Sequence, residues 1–168
     1  RSSEIRITVL PPPLRSLRLV PQDTTVLLGD DVSYRAIGVY LDESEVQIDG
    51  GLVWSCSDTT VAMVAEGSRL QTISAGSTTV SASLEGLVAE GLLRSARGGD
   101  LNADAVHDVL DAVRLVHLIL GFEGTGFERR AADLNLDGTI DIVDLAWLIR
   151  TILGNPVAET KPAPVLAG

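Results

Sequence analysis

The sequence predicts a chain of two parts, an all-β sandwich followed by a small all-α unit built from two loop-and-helix repeats. Between Leu14 and about Leu93, short runs alternating apolar and polar side chains are broken by turn residues at sandwich spacing. Near residue 96 that alternation stops. Beyond it GDLNADAVHDVLDAVRLVHLILG and ADLNLDGTIDIVDLAWLIRTILG repeat one another, and helical spacing replaces the period of two.

Taken in order, residues 4–10, EIRITVL, alternate as a half-buried strand does and stop against Pro11, Pro12 and Pro13. Residues 1–13 therefore read as the end of a preceding β domain and a stiff proline spacer. Eight runs follow in residues 14–95: SLRLVP, TTVLLGD, DVSYRAIGVY, GLVWSCSD, VAMVAEGS, RLQTISAG, STTVSAS and LVAEGLL, which predict seven or eight strands. Val32, Tyr34, Ala36, Val80 and Ala82 mark the core face. The acidic stretch YLDESEVQIDG, with Asp42, Glu43, Glu45 and Asp49, reads as one long solvated loop whose spacing lacks a metal pattern. Trp54 is expected in the core, and Cys56, two residues on, as a buried and inert thiol. Residues 96–99, within SARGG, form a short linker made flexible by Gly98 and Gly99. Between the repeats, Phe122 and Phe127 are expected to pack under the two helices, with Glu128 to Ala132 as a brief helical turn. The repeats occupy residues 100–154, and residues 155–168 are a proline- and alanine-rich tail without periodicity, expected to be disordered.

Laid over one another with an offset of 33 residues, the repeats agree at Asp100/Asp133, Asn102/Asn135, Asp104/Asp137, Asp108/Asp141 and Asp111/Asp144. These are loop positions 1, 3, 5, 9 and 12. With the backbone carbonyl of position 7, Val106 or Thr139, they make the oxygen set a hard cation of six to eight ligands requires. The richness in carboxylate favours Ca2+ over Mg2+, which wants a tighter octahedron and keeps its waters. Four aspartates within twelve residues repel one another, so cation binding and folding are expected to be one event. The agreement continues as Leu115/Leu148, Ile119/Ile152, Leu120/Leu153 and Gly121/Gly154, a core stripe closed by a glycine. The copies differ at position 6, where the second has Gly138 and the first Ala105, at a strain of about 1 to 2 kcal/mol. The first of the two sites is therefore expected to be the weaker. At position 8 His107 faces Ile140, and His107 reads either as part of a bridge between the loops or as a tolerated surface substitution.

The formal net charge is −10, to which the eight loop aspartates contribute most. No basic patch with interleaved aromatics exists, so nucleic acid is not an expected partner. No apolar run approaches the length of a membrane span. The chain starts at Arg1 without an initiator Met or signal-peptide pattern, and is read as a fragment of a longer exported polypeptide. His107 and His117 both lie in the repeat unit, and no Gly-x-Ser-x-Gly or His-Glu-x-x-His occurs, so a non-catalytic role is expected. A single cysteine allows no internal disulfide.

The repeat unit resembles a dockerin, with Asp in place of Glu at position 12 of both loops and no incoming helix before the first. The segment VWSCSDTTVAMV with SAGSTTVSAS resembles the bacterial immunoglobulin-like domain, group 2. Together these resemblances imply an immunoglobulin-like spacer carrying a type I-like, calcium-dependent module. That module would bind a cohesin domain as a monomer and anchor its parent protein to an extracellular, cellulosome-like or surface assembly engaged in polysaccharide breakdown. The dockerin resemblance leaves room for an enzymatic domain, such as a glycoside hydrolase, upstream in the parent. The dockerin resemblance places partner contacts at loop positions 10 and 11 and the next two helical turns. Those positions hold Val109, Leu110, Val116 and His117 in the first copy, and Ile142, Val143, Ile149 and Arg150 in the second. Either these aliphatics pack inside the module or they present an apolar docking face. The rival readings are a surface stalk or adhesin stiffened by calcium, and a sandwich that itself binds glycan or another ligand.

Overall fold

A computed structural model describes residues 12–154, so the expected strand at residues 4–10 and the expected tail lie outside the described residues. Ten strands and three helices run in the order β1 Leu14–Val20, β2 Asp23–Leu27, β3 Asp31–Ser33, β4 Arg35–Tyr40, β5 Glu45–Ile48, β6 Val53–Cys56, β7 Ala62–Glu66, β8 Arg69–Thr72, β9 Gly76–Leu84, β10 Leu87–Ala96, α1 Val109–Ile119, α2 Gly126–Ala132 and α3 Ile142–Ile152. The first ten elements are all β, and the helices follow as a separate C-terminal group.

The strands form sheets ordered β1-β4-β5, β2-β10-β9-β6 and β3-β8-β7. Their inward side chains build one core from Leu17, Leu19, Val32, Tyr34, Ala36, Leu70, Val80, Ala82 and Leu93, against which Trp54 and Cys56 are partly buried. Burial pushes the Cys56 thiol up, so little reactive thiolate forms there. The run DVSYRAIGVY is one stretch in sequence but two strands in space: Val32 pairs with Leu70, whereas Ala36 pairs with Leu19. Tyr34 sits at that change of sheet with its hydroxyl buried and unpartnered. Burial, and secondarily the nearby Cys56 and Asp23, push its phenol up to about 12.

The expected acidic loop is in part a strand. Residues 45–48 pair antiparallel with β4, and Glu45 takes Arg18 at 2.5 Å. Asp42 accepts from the Ser44 N–H and hydroxyl, and Asp49 from the Gln47 amide, so these acids serve turns and strand edges. The alternation of β5 was invisible because three of its four side chains are exposed.

β2 lies parallel to β10, with Leu92 opposite Asp23 and Ala96 opposite Leu27. The close approach requires a glycine, because a Cβ on Gly91 would stand 2.6 Å from the Gln22 carbonyl oxygen. This pairing carries the end of β2 to the point where β10 gives way to the helical unit.

Candidate metal centres and exposed helix face

Each loop is organised by its last carboxylate. Asp111 and Asp144 are 0% exposed. Asp111 Oδ1 accepts the N–H groups of Leu101 and Asn102 at 2.8 and 3.2 Å, and its Oδ2 accepts that of Asp108 at 3.1 Å. Asp144 does the same for Leu134, Asn135 and Asp141 at 2.9, 3.3 and 2.9 Å. At position 1, Asp100 accepts the N–H groups of Asp104 and Ala105, and Asp133 those of Asp137 and Gly138. The Asn102 amide donates to Asp104, and that of Asn135 to Asp137.

Positions 9 and 12 have a second task that the sequence reading missed. Asp108 and Asp141 are the N-caps of α1 and α3, and each closes a capping box with Asp111 or Asp144. An Asp-x-x-Asp spacing just before an apolar helix was the available signal. These carboxylates are thus explained in part by helix capping alone. What capping leaves unexplained is the convergence of positions 1, 3 and 5 on the same turn.

The donor set fits a hard cation. Every side chain at positions 1, 3, 5, 9 and 12 offers oxygen, and a carboxylate holding backbone N–H groups keeps free lone pairs. None of the four ion pairs among the described residues engages a loop aspartate. The charge in the loops is therefore unbalanced by protein. Among the described residues no three His, Cys, Asp or Glu side chains are grouped so as to hold a metal ion by themselves.

The copies diverge in detail. Ala105 is held at φ 71° where Gly138 is at φ 85°, and position 4 is left-handed in both, as Ala103 and Leu136. Burial lifts the Asp100 carboxyl above its ordinary value against the opposing N–H groups of Ala105 and Asp104, and Asp111 and Asp104 add to the lift. Asp137 is held below its ordinary value, first by the Thr139 hydroxyl and N–H and then by the Asn135 amide. His107 Nε2 lies 3.0 Å from the Gly98 carbonyl oxygen, so it braces the segment before its own loop. Ile140 packs on the helical core.

That core is Leu101, Leu115, Ala131, Ala132 and Leu148, with Ile119, Ile152 and Phe127 packed against it. Phe122 departs from expectation: it is 60% exposed, with its ring edge-on to His117 at 5.3 Å. The chain turns at Gly121 immediately after α1, which sets Phe122 beside the last helical turn rather than beneath it. The helix between the repeats is longer than expected, because Thr125 caps it through a box with Glu128.

The candidate contact residues lie mostly outside the core. Val109 and Ile142 are each 67% exposed, Val143 and Ile149 43%, and Leu110, His117 and Arg150 are also exposed, whereas Val116 is half-buried. No described helix is long and apolar enough to cross a membrane.

Residues 98–153 match the family model for the dockerin type I domain. Such a domain is non-catalytic, binds calcium and docks onto cohesin domains. Among solved structures, the chain is similar to domains 4 and 5 of the S-layer protein SbsC, at 14% identity and a TM-score of 0.41, covering 51% of this chain and 53% of that one. It is also similar to an intimin mutant of EHEC O157:H7, at 14% identity and a TM-score of 0.30, covering 42% and 34%. The chain thus spans about half the length of the S-layer fragment it matches. No curated protein matches the chain.

Proposed function

We propose that residues 100–154 are a calcium-dependent docking module that binds a cohesin domain, monomeric and non-catalytic, with residues 14–95 as an immunoglobulin-like spacer of the group 2 kind. The parent protein would be held by it in an extracellular or cell-surface assembly of the polysaccharide-degrading, cellulosome-like type. One observation carries the reading: two acid loops without basic partners support a pair of helices whose aliphatic side chains stand in solvent, and the sandwich does not cover them.

In this reading calcium is held by Asp100, Asn102, Asp104, Asp108 and Asp111 with the Val106 carbonyl, and by Asp133, Asn135, Asp137, Asp141 and Asp144 with the Thr139 carbonyl. The bound ion supplies the charge neutralisation that no side chain of the loops provides. The carboxylates of positions 9 and 12 then fix the first turns of α1 and α3. That fixes the bearing of the apolar residues at positions 10 and 11, Val109 and Leu110 in one helix, Ile142 and Val143 in the other. An exposed aliphatic group of this kind gains by burial against a partner, at about 25 cal/mol per Å2 before the costs of association. Val116, His117, Ile149 and Arg150 extend the contact along the helices.

The stalk reading has one observation in its favour, the contact between β2 and the helical core through Leu27. It leaves the exposed aliphatics without a role.

The test is binding of cohesin domains to Val143→Asp and Leu110→Asp in calcium. A charge placed in an apolar contact should weaken docking tenfold or more, on the order of 1.4 kcal/mol, with calcium uptake unchanged. Loss in only one variant assigns the dominant helix. Unchanged affinity in both contradicts the proposal.

A further inference from the structure

The segment that joins the two halves was expected to flex, and the structure ties it down on both sides. β10 continues through Ser95 and Ala96, both buried, and the Leu28 N–H donates to the Ala96 carbonyl at 2.8 Å. The Gly99 N–H donates to the Ala131 carbonyl in α2 at 2.7 Å, and the Asp100 N–H to that of Arg97 at 3.1 Å. Gly99 has a φ of 88°, and a Cβ there would stand 3.1 Å from both Leu134 and Leu148.

Side chains cross the same junction. Leu27, opposite Ala96 in the parallel pairing, packs against the core of the helical unit and not against that of the sandwich. Three residues on, Asp30 takes Arg130 of α2 at 2.9 Å. The helical core is small, and one of its side chains comes from the sandwich. A core completed by a neighbour loses transfer energy when that neighbour unfolds.

We infer that the sandwich is a structural part of the helical unit: the two fold and unfold as one cooperative body, coupled through Leu27 and the Asp30–Arg130 pair. A stabilising event at the loops is then felt in the strands, and load on the chain reaches a docked partner through a continuous folded body rather than a hinge. The coupling itself stands on packing, and only its response to calcium rests on the function proposed above.

Urea unfolding followed by pulsed hydrogen exchange and mass spectrometry separates the halves, with peptides from β9 and from α3 as reporters. The unaltered chain should lose protection in both at one urea concentration, and chelator should lower both together. Leu27→Asp should split the midpoints by about 1 M urea, with α3 the first to open. Arg130→Ala, a milder change that keeps the fold, should split them less. Different midpoints in the unaltered chain would overturn the inference, as would a single shared midpoint in both variants. Coincident midpoints that calcium does not move would support the coupling and sink the calcium reading of the loops.

Discussion

Loop 100–111 and loop 133–144 hold their backbones with matching bonds, down to the three N–H groups on the last aspartate, yet the sixth residue of one is Ala105 at φ 71° and of the other Gly138 at φ 85°. The first loop is also the one set against the sandwich junction, with Asp100 buried, whereas Asp133 is half-buried. In the second, the Thr139 hydroxyl reaches Asp137 at 2.5 Å, an additional bond that Val106 cannot offer Asp104. The comparison separates two things that a shared sequence pattern merges. The pattern sets the scaffold of a loop, while its surroundings and its sixth residue differ between the copies.

The scaffold half of this comparison breaks most sharply at position 12. Asp111→Ala and Asp144→Ala each strip the acceptor from three backbone N–H groups. At about 1 to 3 kcal/mol for each buried group left unpaired, either change should unfold the helical unit. Loss of helical circular dichroism in calcium would show it. Because the bonds match, the two losses should be alike, and a well-folded variant at either position would break the equivalence.

Surroundings are probed next by Gly99→Ala, whose counterpart in the second repeat is already Ala132. The left-handed backbone and the tight approach to Leu134 and Leu148 predict a cost of about 1 to 3 kcal/mol, read as a lower urea midpoint. A neutral result would mean that the junction yields.

The sixth residue is tested by exchange. Ala105→Gly should strengthen calcium binding at the first site, and Gly138→Ala should weaken it at the second, each by about 1 kcal/mol or roughly fivefold. Calcium titration of the double exchange should reverse the order of the sites. Two sites of equal affinity in the unaltered chain would remove the predicted difference.

The smallest effect lies between the repeats. Burial alone would raise the Glu128 carboxyl, but the Thr125 N–H and hydroxyl, with the Arg114 guanidinium, outweigh it and hold it below its ordinary value. A depressed carboxylate stabilises the fold above the unfolded-state value of 4.5, and that contribution is lost as pH falls through the lower folded-state value. Glu128→Gln should therefore cost no more than about 1 kcal/mol near neutral pH, and the two chains should converge in stability at pH values below that range. A gap that persists in acid would assign the loss to packing rather than to charge.

Much of this was legible in the sequence. Val32, Tyr34, Ala36, Val80 and Ala82 announced the core face of the β region, and each is buried. The register between the repeats announced both loops and the core leucines, Leu115 and Leu148. Three features were not legible, each for a physical reason. The strand at residues 45–48 exposes three of its four side chains and has no alternation to read. Tyr34 lies between the strand of one sheet and the strand of another, a break that a continuous period of two conceals. Leu27 is half-buried against a helical core more than seventy residues away in sequence, a tertiary contact that no local pattern carries.

The measurement that bears most directly on the docking account is titration calorimetry of this chain against a panel of cohesin domains, run with calcium and again with chelator. The account predicts saturable binding to at least one cohesin in calcium and none in chelator. Calcium-stabilised folding with no cohesin bound, or binding indifferent to chelator, would contradict it.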